Sequence, residues 1–331
     1  MAVDTLAVAQ KTRRPTWKRI GTMREAGLIA IILSLSVIMS FASPHFLTLG
    51  NFRAMLMSFS VEGIIVVVGM TILLIVGGID LSVGSVVCFS MVLSGSLFLM
   101  GVDPWTASLV GIAASAAIGC IMGFFVTVVG LNHFITSLAA MVIVRGLCLV
   151  ITKGTPLSLF TLPPAFKAVG QGTFFGVPYV ILIFIAVVAA FDFLLRRATA
   201  FRKVFYTGSN EKAALYSGIK TKDVKFWVTV LCATLSGVAG TIYMSRFGAA
   251  TPTFGVGMEL NIIAAAVIGG ASLNGGSGTI LGAILGIALL SVVTSSLILL
   301  DVSVYWQDMI KGCILLAAVS IDHLLHKRKA L

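Results

Sequence analysis

The stretch "ILLIVGGIDLSVGSVVCFSMV" (residues 72–92) decides the class of fold. It is apolar enough to lie in a lipid bilayer, yet residues 77–85 include an aspartate, two serines and three glycines. Gly77 and Gly78 permit backbone angles that end a helix. Asp80 and Ser82 then offer side-chain oxygens to the N–H groups that open the next helix, as an N-cap does. Non-helical backbone at membrane depth persists only inside protein or beside a cavity, so this turn is predicted to be either a packing corner or the lining of a path.

The composition extends this membrane character to the whole chain. Of the 331 residues, 58% are hydrophobic and only 11% are charged, whereas soluble domains carry about 25% charged residues. Apolar runs of roughly 20 residues, the length that crosses a bilayer as a helix, recur throughout. The alternating segments of about ten residues that form transmembrane barrels do not occur. We therefore expect an all-α polytopic membrane protein.

Ten spans are predicted, with Gly-rich breaks between some of them. They lie near residues 26–43, 56–76, 84–101, 105–129, 134–152, 178–195, 227–247, 258–274, 279–300 and 304–322. The domain organisation is then a basic tail (1–25), one transmembrane domain (26–323) and a short basic tail (324–331). The apolar stretch near the start is too long for a cleavable signal, so we expect it to remain as the first span.

The net charge of +11 raises the possibility of nucleic-acid binding, but its distribution argues against it. Basic residues concentrate in the first 25 residues, in the connection 196–226 and in the final "HKRKAL". Loops rich in Lys and Arg beside apolar spans remain in the cytoplasm. We therefore expect a multi-pass protein of the cytoplasmic (inner) membrane, in contact with lipid, with both termini and the connection 196–226 in the cytoplasm.

No motif for metal binding, catalysis or nucleotide binding is found in the sequence. The five cysteines are scattered through apolar runs without a CxxC spacing, and the four histidines are isolated. There is no HExxH, no serine–histidine pairing and no GxxxxGK[ST] phosphate loop. We expect neither a cofactor nor an enzymatic activity in this chain.

An internal repeat links the opening stretch to a second one. The segment "VGGIDLSVGS" (76–85) is similar to "IGGASLNGGS" (268–277), with glycines, a leucine and a serine at matching positions. Paired Gly-rich interruptions of this kind are typical of transporters built from duplicated halves. Both turns are expected at or near the cytoplasmic side. Small residues at four-residue spacing, at 119 and 123 and at 278, 282 and 286, fit either a subunit interface or packing within one bundle.

Polar residues within the predicted spans are candidates for a solute path. A charge at mid-bilayer costs at least about 2.5–3.5 kcal/mol, so such residues face a protein interior or a water-filled cavity. The candidates are Glu62, Asp80, Arg145, Glu259 and Lys311. Arg145 requires a carboxylate or free backbone carbonyls as its partner, whereas the two glutamates are expected toward the outer ends of their spans. Pairing within the protein and direct contact with a solute both remain open for each of them.

The connection 196–226 contains a predicted short helix. Asn210 is a suitable N-cap, residues 211–217 are helix formers, and Gly218 stops the helix before Ile219. The helix has an apolar patch between basic flanks, formed by Ala213, Ala214, Leu215 and Tyr216. Such a helix could lie on the membrane or insert into a partner protein.

The segment "GSNEKAALYSGIKT" resembles the coupling helix of ABC importer permeases, and the resemblance extends along the chain. "VGMTILLIVGGIDLSVGS", "FITSLAAMVIVRGLCLVIT", "GMELNIIAAAVIGGASLNGGSGTILGAILG" and "SPHFLTLGNF" are similar to the ribose-type, carbohydrate branch of these permeases. The likeness covers residues 43–322 in order.

The resemblance implies a membrane permease subunit of an ATP-binding-cassette importer for a sugar. It further implies a separate cytoplasmic ATPase, of the fused double kind, a second identical or homologous permease, and a periplasmic or lipid-anchored sugar-binding protein. Contact with the ATPase would be made by the following residues: Asn210, Glu211, Ala213, Ala214, Leu215, Gly218 and Ile219.

Three positions depart from the pattern of the sugar branch, namely Glu62, Val76 and Asn261, the last of which often is aspartate in the family. All three lie near the expected path. They therefore bear on the identity of the solute more than on the resemblance to the family. Ribose-like pentoses, hexoses and polyols remain candidates, as do an autoinducer-type sugar, a nucleoside or a branched-chain amino acid. An ion-coupled secondary sugar transporter is the alternative mechanism, because a buried carboxylate could carry a proton or sodium.

Overall fold

The protein folds almost entirely into helices, as seen in a computed structural model that describes residues 16–330. Side chains are described for residues 25–320 except 66 and 318, so the side chains of both predicted tails lie outside the described part except for Glu25. The helices are α1 (Thr16–Ala42), α2 (Leu49–Gly63), α3 (Thr71–Ile75), α4 (Val83–Leu99), α5 (Pro104–Phe124), α6 (His133–Thr152), α7 (Pro164–Gln171), α8 (Tyr179–Arg197), α9 (Thr199–Ser209), α10 (Glu211–Tyr216), α11 (Thr221–Phe247), α12 (Met258–Ile268), α13 (Ile280–Leu299) and α14 (Val304–Ala330).

Short irregular and extended pieces complete the chain. The π-helical segment Ile64–Met70 joins α2 to α3, and a second one, Phe125–Val129, extends α5. The strands are β1 (Leu157–Ser158), β2 (Thr173–Phe174), β3 (Val177–Pro178) and β4 (Ala249–Ala250). β1 pairs antiparallel with β4, and β2 pairs antiparallel with β3 in a hairpin.

Six helices in the described part are long and apolar enough to cross a membrane. They are Glu25–Ala42 within α1, Pro104–Val129, α6, α8, α11 and α13. The bent pair of α2 and α3 counts as a seventh crossing if it forms one span, and α4 and α12 are apolar but shorter. The expected all-α polytopic class is thereby confirmed, whereas the count of ten spans remains a prediction.

Two predicted boundaries were wrong in ways that matter for function. The helical segment formed by α2, Ile64–Met70 and α3 begins at Leu49, seven residues before the predicted 56, so Glu62 lies near the middle of this segment and not toward one end. α12 ends at Ile268 and not at 274. Its 11 residues therefore span only about 17 Å, much less than a hydrocarbon core of about 30 Å.

α11 lies at the centre of the bundle, against α4 and α5. Glycines allow this close approach: Gly237 meets Ser115 of α5, and Gly240 meets the carbonyl of Val87 in α4. α4 is apolar or small on every side and is largely buried, as expected for a helix without a polar face.

The predicted small-residue faces are used for packing within the bundle. Gly119 of α5 lies against Ala233 of α11, and Gly286 of α13 lies against the carbonyl of Ala265 in α12. A methyl group added at either glycine would collide with the neighbouring helix. The structure thus favours internal packing over a subunit interface for these two positions.

Candidate solute path and coupling segment

The first Gly-rich interruption runs from the end of α3 to the start of α4. Gly77 adopts a left-handed conformation with φ of +87°, which ends α3. The fully buried Asp80 accepts hydrogen bonds through Oδ1 from the backbone N–H of Ser82 (2.7 Å) and from its Oγ (2.6 Å). Ser82 is the N-cap residue of α4 but makes no side-chain cap bond. Asp80 therefore stabilises the turn before α4. The prediction that side chains of this turn accept the first helical N–H groups of α4 was wrong.

The interruption lies inside the protein, as an unpaired backbone segment within a membrane must. His133 Nδ1 in α6 donates to the carbonyl oxygen of Ile79 at 2.7 Å, and Ser137 Oγ donates to the same oxygen at 3.1 Å. His133 Nε2 lies 3.0 Å from Thr229 Oγ1 of α11. Among the described residues, Oδ2 of Asp80 has no hydrogen-bond partner, so this carboxylate retains unused acceptor capacity.

A second non-helical segment, residues 248–257, connects α11 to α12. Arg145 of α6 holds it by donating Nη1 hydrogen bonds to the carbonyl oxygens of Pro252 (3.2 Å) and Phe254 (2.6 Å). Cys88 of α4 donates its Sγ–H to the carbonyl oxygen of Pro252 at 3.2 Å. The sequence predicts either a carboxylate or backbone carbonyls as the partner of Arg145, and the structure shows backbone carbonyls.

The two segments meet at Gly84 and Gly255. A Cβ built on Gly255 would lie 2.8 Å from the carbonyl oxygen of Gly84, and a Cβ on Gly84 would lie 2.7 Å from Oε2 of Glu259. Glu259, the second residue of α12, also accepts the N–H of Gly257 through Oε1 at 3.2 Å. α4 and α12 therefore begin beside each other within the bundle. We call this place the crossing.

The two helices that begin at the crossing are short. α4 has 17 residues and α12 has 11, so they rise only about 26 Å and 17 Å along their axes. Both lengths are below the thickness of a hydrocarbon core, about 30 Å, and each helix is preceded by a non-helical segment. The polar residues Asp80, Arg145 and Glu259 all serve these segments, and each of them has at least one partner within the chain.

A polar cavity of about 280 Å³ lies between α2, α12, α13 and α14. It brings together three sequence candidates from three helices: Glu62, Asn261 and Lys311. Its other polar lining residues are Asn51, Ser58, Ser291, Thr294 and Ser295, and its apolar lining includes Met55, Phe59, Ile287, Leu290 and Ile298. The sequence candidates thus fall into two groups, one at the cavity and one at the crossing.

One hydrogen bond fixes part of the cavity wall. Ser295 Oγ of α13 donates to Asn51 Oδ1 of α2 at 2.9 Å, and Asn51 Nδ2 donates to the carbonyl oxygen of Phe46 at 2.9 Å. This part of the lining is therefore preformed, and the cavity as a whole combines polar groups with apolar side chains, as small-molecule sites do.

The short helix in the connection forms as the sequence predicts. Asn210 Oδ1 accepts the N–H of Ala213 at 3.0 Å, which caps α10 at its start. Gly218 adopts φ of +80°, and the N–H of Ile219 returns to the carbonyl of Ala214 at 3.0 Å, which closes its end. An ion pair of 2.7 Å between Glu211 and Lys225 ties α10 to α11.

The exposed surface of α10 differs from the predicted patch in one residue. Ala214 is only 4% exposed and packs inside the chain, so it holds α10 in place and is not available to a partner. Leu215 is 58% exposed and Tyr216 is 89% exposed. Tyr216 belongs to the predicted apolar patch but not to the predicted ATPase contacts, although an exposed aromatic residue is a common anchor in protein interfaces.

Comparison with known proteins identifies the family. Residues 52–319 match the family described as the permease component of a branched-chain amino acid transport system. The chain belongs to this permease family.

The permease is also similar to curated sugar permeases. It is 37% identical over 302 residues to the ribose import permease protein RbsC of Bacillus subtilis, covering 91% of this chain and 94% of that one. It is 33% identical over 315 residues to the D-allose transport system permease protein AlsC of Escherichia coli K12, covering 94% and 93%. The L-arabinose ABC transporter permease protein AraH of Azospirillum brasilense is 33% identical over 319 residues, covering 96% and 92%. No solved structure matches the permease.

Several residues of the permease's cavity were not predicted from the sequence. Asn51 lies before the predicted second span, and the serines and the threonine of α13 lie in an apolar run where hydroxyl groups commonly bond to backbone carbonyls. The length of the α2 helix was the missing signal, because it places Asn51 on the same helix as Glu62.

Proposed function

We propose that this permease is the membrane subunit of an ATP-driven importer for a monosaccharide or a related sugar. The observation that carries this is the similarity, along more than nine-tenths of the chain, to permeases for ribose, allose and arabinose. The expected solute is a ribose-like pentose, a hexose or a polyol. A branched-chain amino acid, which the family description names, is less favoured because these relatives are all named for sugars.

The energy for import would come from a separate ATP-binding-cassette ATPase, of the fused double kind. This proposal is supported by α10, a short helix fixed at both ends that presents Leu215 and Tyr216 to solvent. A second permease copy or a homologous permease and a periplasmic or lipid-anchored sugar-binding protein complete the proposed importer. The permease would lie in the inner membrane with both termini and α10 in the cytoplasm.

The solute would pass through the polar cavity during alternating access. Sugars combine hydroxyl groups with apolar ring faces, and the cavity offers the matching mixture of carboxylate, amine, amide and aliphatic groups. Glu62 of α2 and Asn261 of α12 are the proposed contacts. Asp80, Arg145 and Glu259 would stabilise the two non-helical segments beside the path through their hydrogen bonds to the backbone.

Reconstitution of the purified importer tests this function. Permease, ATPase and binding protein are inserted into liposomes, and uptake of radiolabelled ribose, arabinose and allose is measured with ATP or ADP. We expect uptake of at least one of these sugars only with ATP and with all three components. Uptake by the permease alone under a proton or sodium gradient would instead establish a secondary transporter.

A docking test addresses α10 separately. Tyr216→Asp should weaken ATPase binding by about 10-fold or more, because a charge at the centre of a desolvated contact is costly. Tyr305→Asp is the matched control, since Tyr305 at the start of α14 is 88% exposed and lies outside the connection. Equal binding by the two variants would exclude α10 as the docking helix.

A further inference from the structure

The two Gly-rich turns of the internal repeat touch each other at the end of the bundle that carries α10. The N–H of Gly276, in the second turn, donates to the carbonyl oxygen of Ile75, the last residue of α3, at 2.8 Å. Gly278 also lies against the Ile75 side chain. The end of α3 and the turn before α13 are therefore in direct contact.

The carboxyl-terminal end of α9 packs against both turns through backbone atoms. Gly208 lies against the carbonyl of Ile75 and the amide of Gly276, so that even a methyl group at 208 would collide with them. A Cβ on Gly275 would lie 2.8 Å from the carbonyl oxygen of Gly208, and a Cβ on Gly276 would lie 2.8 Å from Cα of Ser209. We call this three-way contact the junction.

The junction is one residue away from α10 along the chain. Ser209 ends α9 and Glu211 begins α10, and the Asn210 between them caps α10 with its side chain. Because the contacts of Gly208 and Gly275 at the junction are with backbone atoms, rotamer changes alone cannot absorb a displacement of α10 there.

Each turn leads to a different part of the proposed path. The first turn continues through Asp80 to the start of α4, which forms the crossing with Gly255. The second turn leads into α13, which supplies Ser291, Thr294 and Ser295 to the cavity wall.

We propose that the Gly208–Ser209 end of α9 is the positioning element that transmits movement of α10 to both Gly-rich turns at once. This inference rests on the proposed function, because it assumes that an ATPase moves α10. It assigns a role in coupling to Gly208, Ile75 and Gly276, which contact neither the ATPase nor the solute in this proposal.

The test is Gly208→Ala in the complete importer reconstituted in liposomes with ribose, arabinose and allose. Gly208 is helical, so alanine is compatible with its backbone, and the added methyl group acts by separating α9 from the turns. We expect unchanged ATPase binding and continued ATP hydrolysis, but a fall of about 10-fold or more in sugar molecules imported per ATP, as overpacking of a tight contact predicts.

Two matched variants separate coupling from general packing. Gly146→Ala in α6 places the same methyl group where no atom lies within 4 Å, and it should import like the wild type. Gly240→Ala pushes α11 away from the Val87 carbonyl, far along the chain from α9, and should lower stability without lowering the sugar imported per ATP. An equal loss of sugar per ATP in Gly240→Ala and Gly208→Ala would overturn the proposal.

A measurement on the wild-type importer decides the matter even if Gly208→Ala fails to assemble. Hydrogen–deuterium exchange is compared between the nucleotide-free and the ATP-bound states, the latter held with a non-hydrolysable analogue. We expect peptides containing residues 75–79 and 274–278 to change exchange together with the 207–216 peptide. If only the 207–216 peptide changes while the importer still transports with ATP, the junction proposal fails and the proposed function stands. If ATP drives no uptake at all, the proposed function itself fails.

Discussion

Replacing Arg145 by methionine is expected to release the segment before α12 from the bundle. Methionine has a similar reach in the core but donates no hydrogen bond, so the carbonyls of Pro252 and Phe254 lose their partner. Arg145 is the thirteenth residue of the 20-residue α6, which places it near the middle of a predicted span.

The magnitude follows from two opposing contributions. Two hydrogen bonds from a charged donor contribute about 3–6 kcal/mol in total. Removing a guanidinium from the middle of a membrane recovers about 2.5–3.5 kcal/mol. The centres of both ranges leave a net loss of about 1–2 kcal/mol, so opening of the 251–257 segment should become about tenfold more frequent.

The rate at which Cys88 is chemically labelled measures this opening directly. Its side chain is fully buried, and its Sγ–H is donated to the Pro252 carbonyl of the same segment. Labelling of the Cys88 peptide with a membrane-permeant maleimide, followed by mass spectrometry, should be about tenfold faster in Arg145→Met than in the wild type. Arg53→Met, which removes an exposed arginine of α2, serves as the control and should label slowly. Equal labelling rates in wild type and Arg145→Met would refute the claim that Arg145 holds the segment.

Three smaller predictions test the cavity, the crossing and the connection. Glu62→Gln should weaken the apparent affinity for the imported sugar by about tenfold because an amide replaces the carboxyl group as hydrogen-bond partner, whereas Asp192→Asn, at an ion pair of α8 outside the cavity, should not; unchanged affinity in both would remove Glu62 from the path. Gly84→Ala should destabilise the permease in detergent by about 1–3 kcal/mol by overpacking, whereas Gly146→Ala should be neutral or slightly stabilising. Lys225→Met should change stability by less than about 1 kcal/mol because the ion pair is partly exposed, and a larger thermal shift would contradict this estimate.

The features that could be read from the sequence are those determined by neighbouring residues. The cap at Asn210 and the stop at Gly218 define α10 because each depends on a bond within one helical turn. The need of Arg145 for a partner was evident too, since an isolated charge in a membrane is unfavourable. Its choice of carbonyls over a carboxylate depends on the path of the 248–257 segment, which lies more than 100 residues away in sequence.

The crossing could not be predicted from the sequence, for a different reason. A hydropathy pattern measures how apolar a segment is, and "FGVGMELNIIAAAVIGG" and its surroundings are apolar whether the chain is helical or extended. Only the contact between Gly84 and Gly255 shows that α4 and α12 begin within the bundle. The burial of Ala214 was equally inaccessible, because nothing in a six-residue helix tells which face meets the rest of the chain.

The two turns of the internal repeat have the same kind of hydrogen bond as well as similar sequences. In the first turn Asp80 accepts the N–H of Ser82, and at the matching position of the second turn Ser272 Oγ accepts the N–H of Asn274 at 3.2 Å. The same side-chain-to-backbone turn is thus built with a carboxylate in one copy and a hydroxyl in the other.

The copies diverge directly after this bond, and the divergence has a functional consequence. Val83 starts α4 at once, whereas its counterpart Gly275 and the following Gly276 both have positive φ, which delays α13 until Ile280. Gly84, the counterpart of Gly276, already lies in the first turn of α4. Because the second helix starts late, Gly276 remains in the turn with positive φ, where its N–H bonds to Ile75, and the two halves are joined where α9 reaches them. The asymmetry of the repeat therefore creates the contact through which a single short helix can act on both halves.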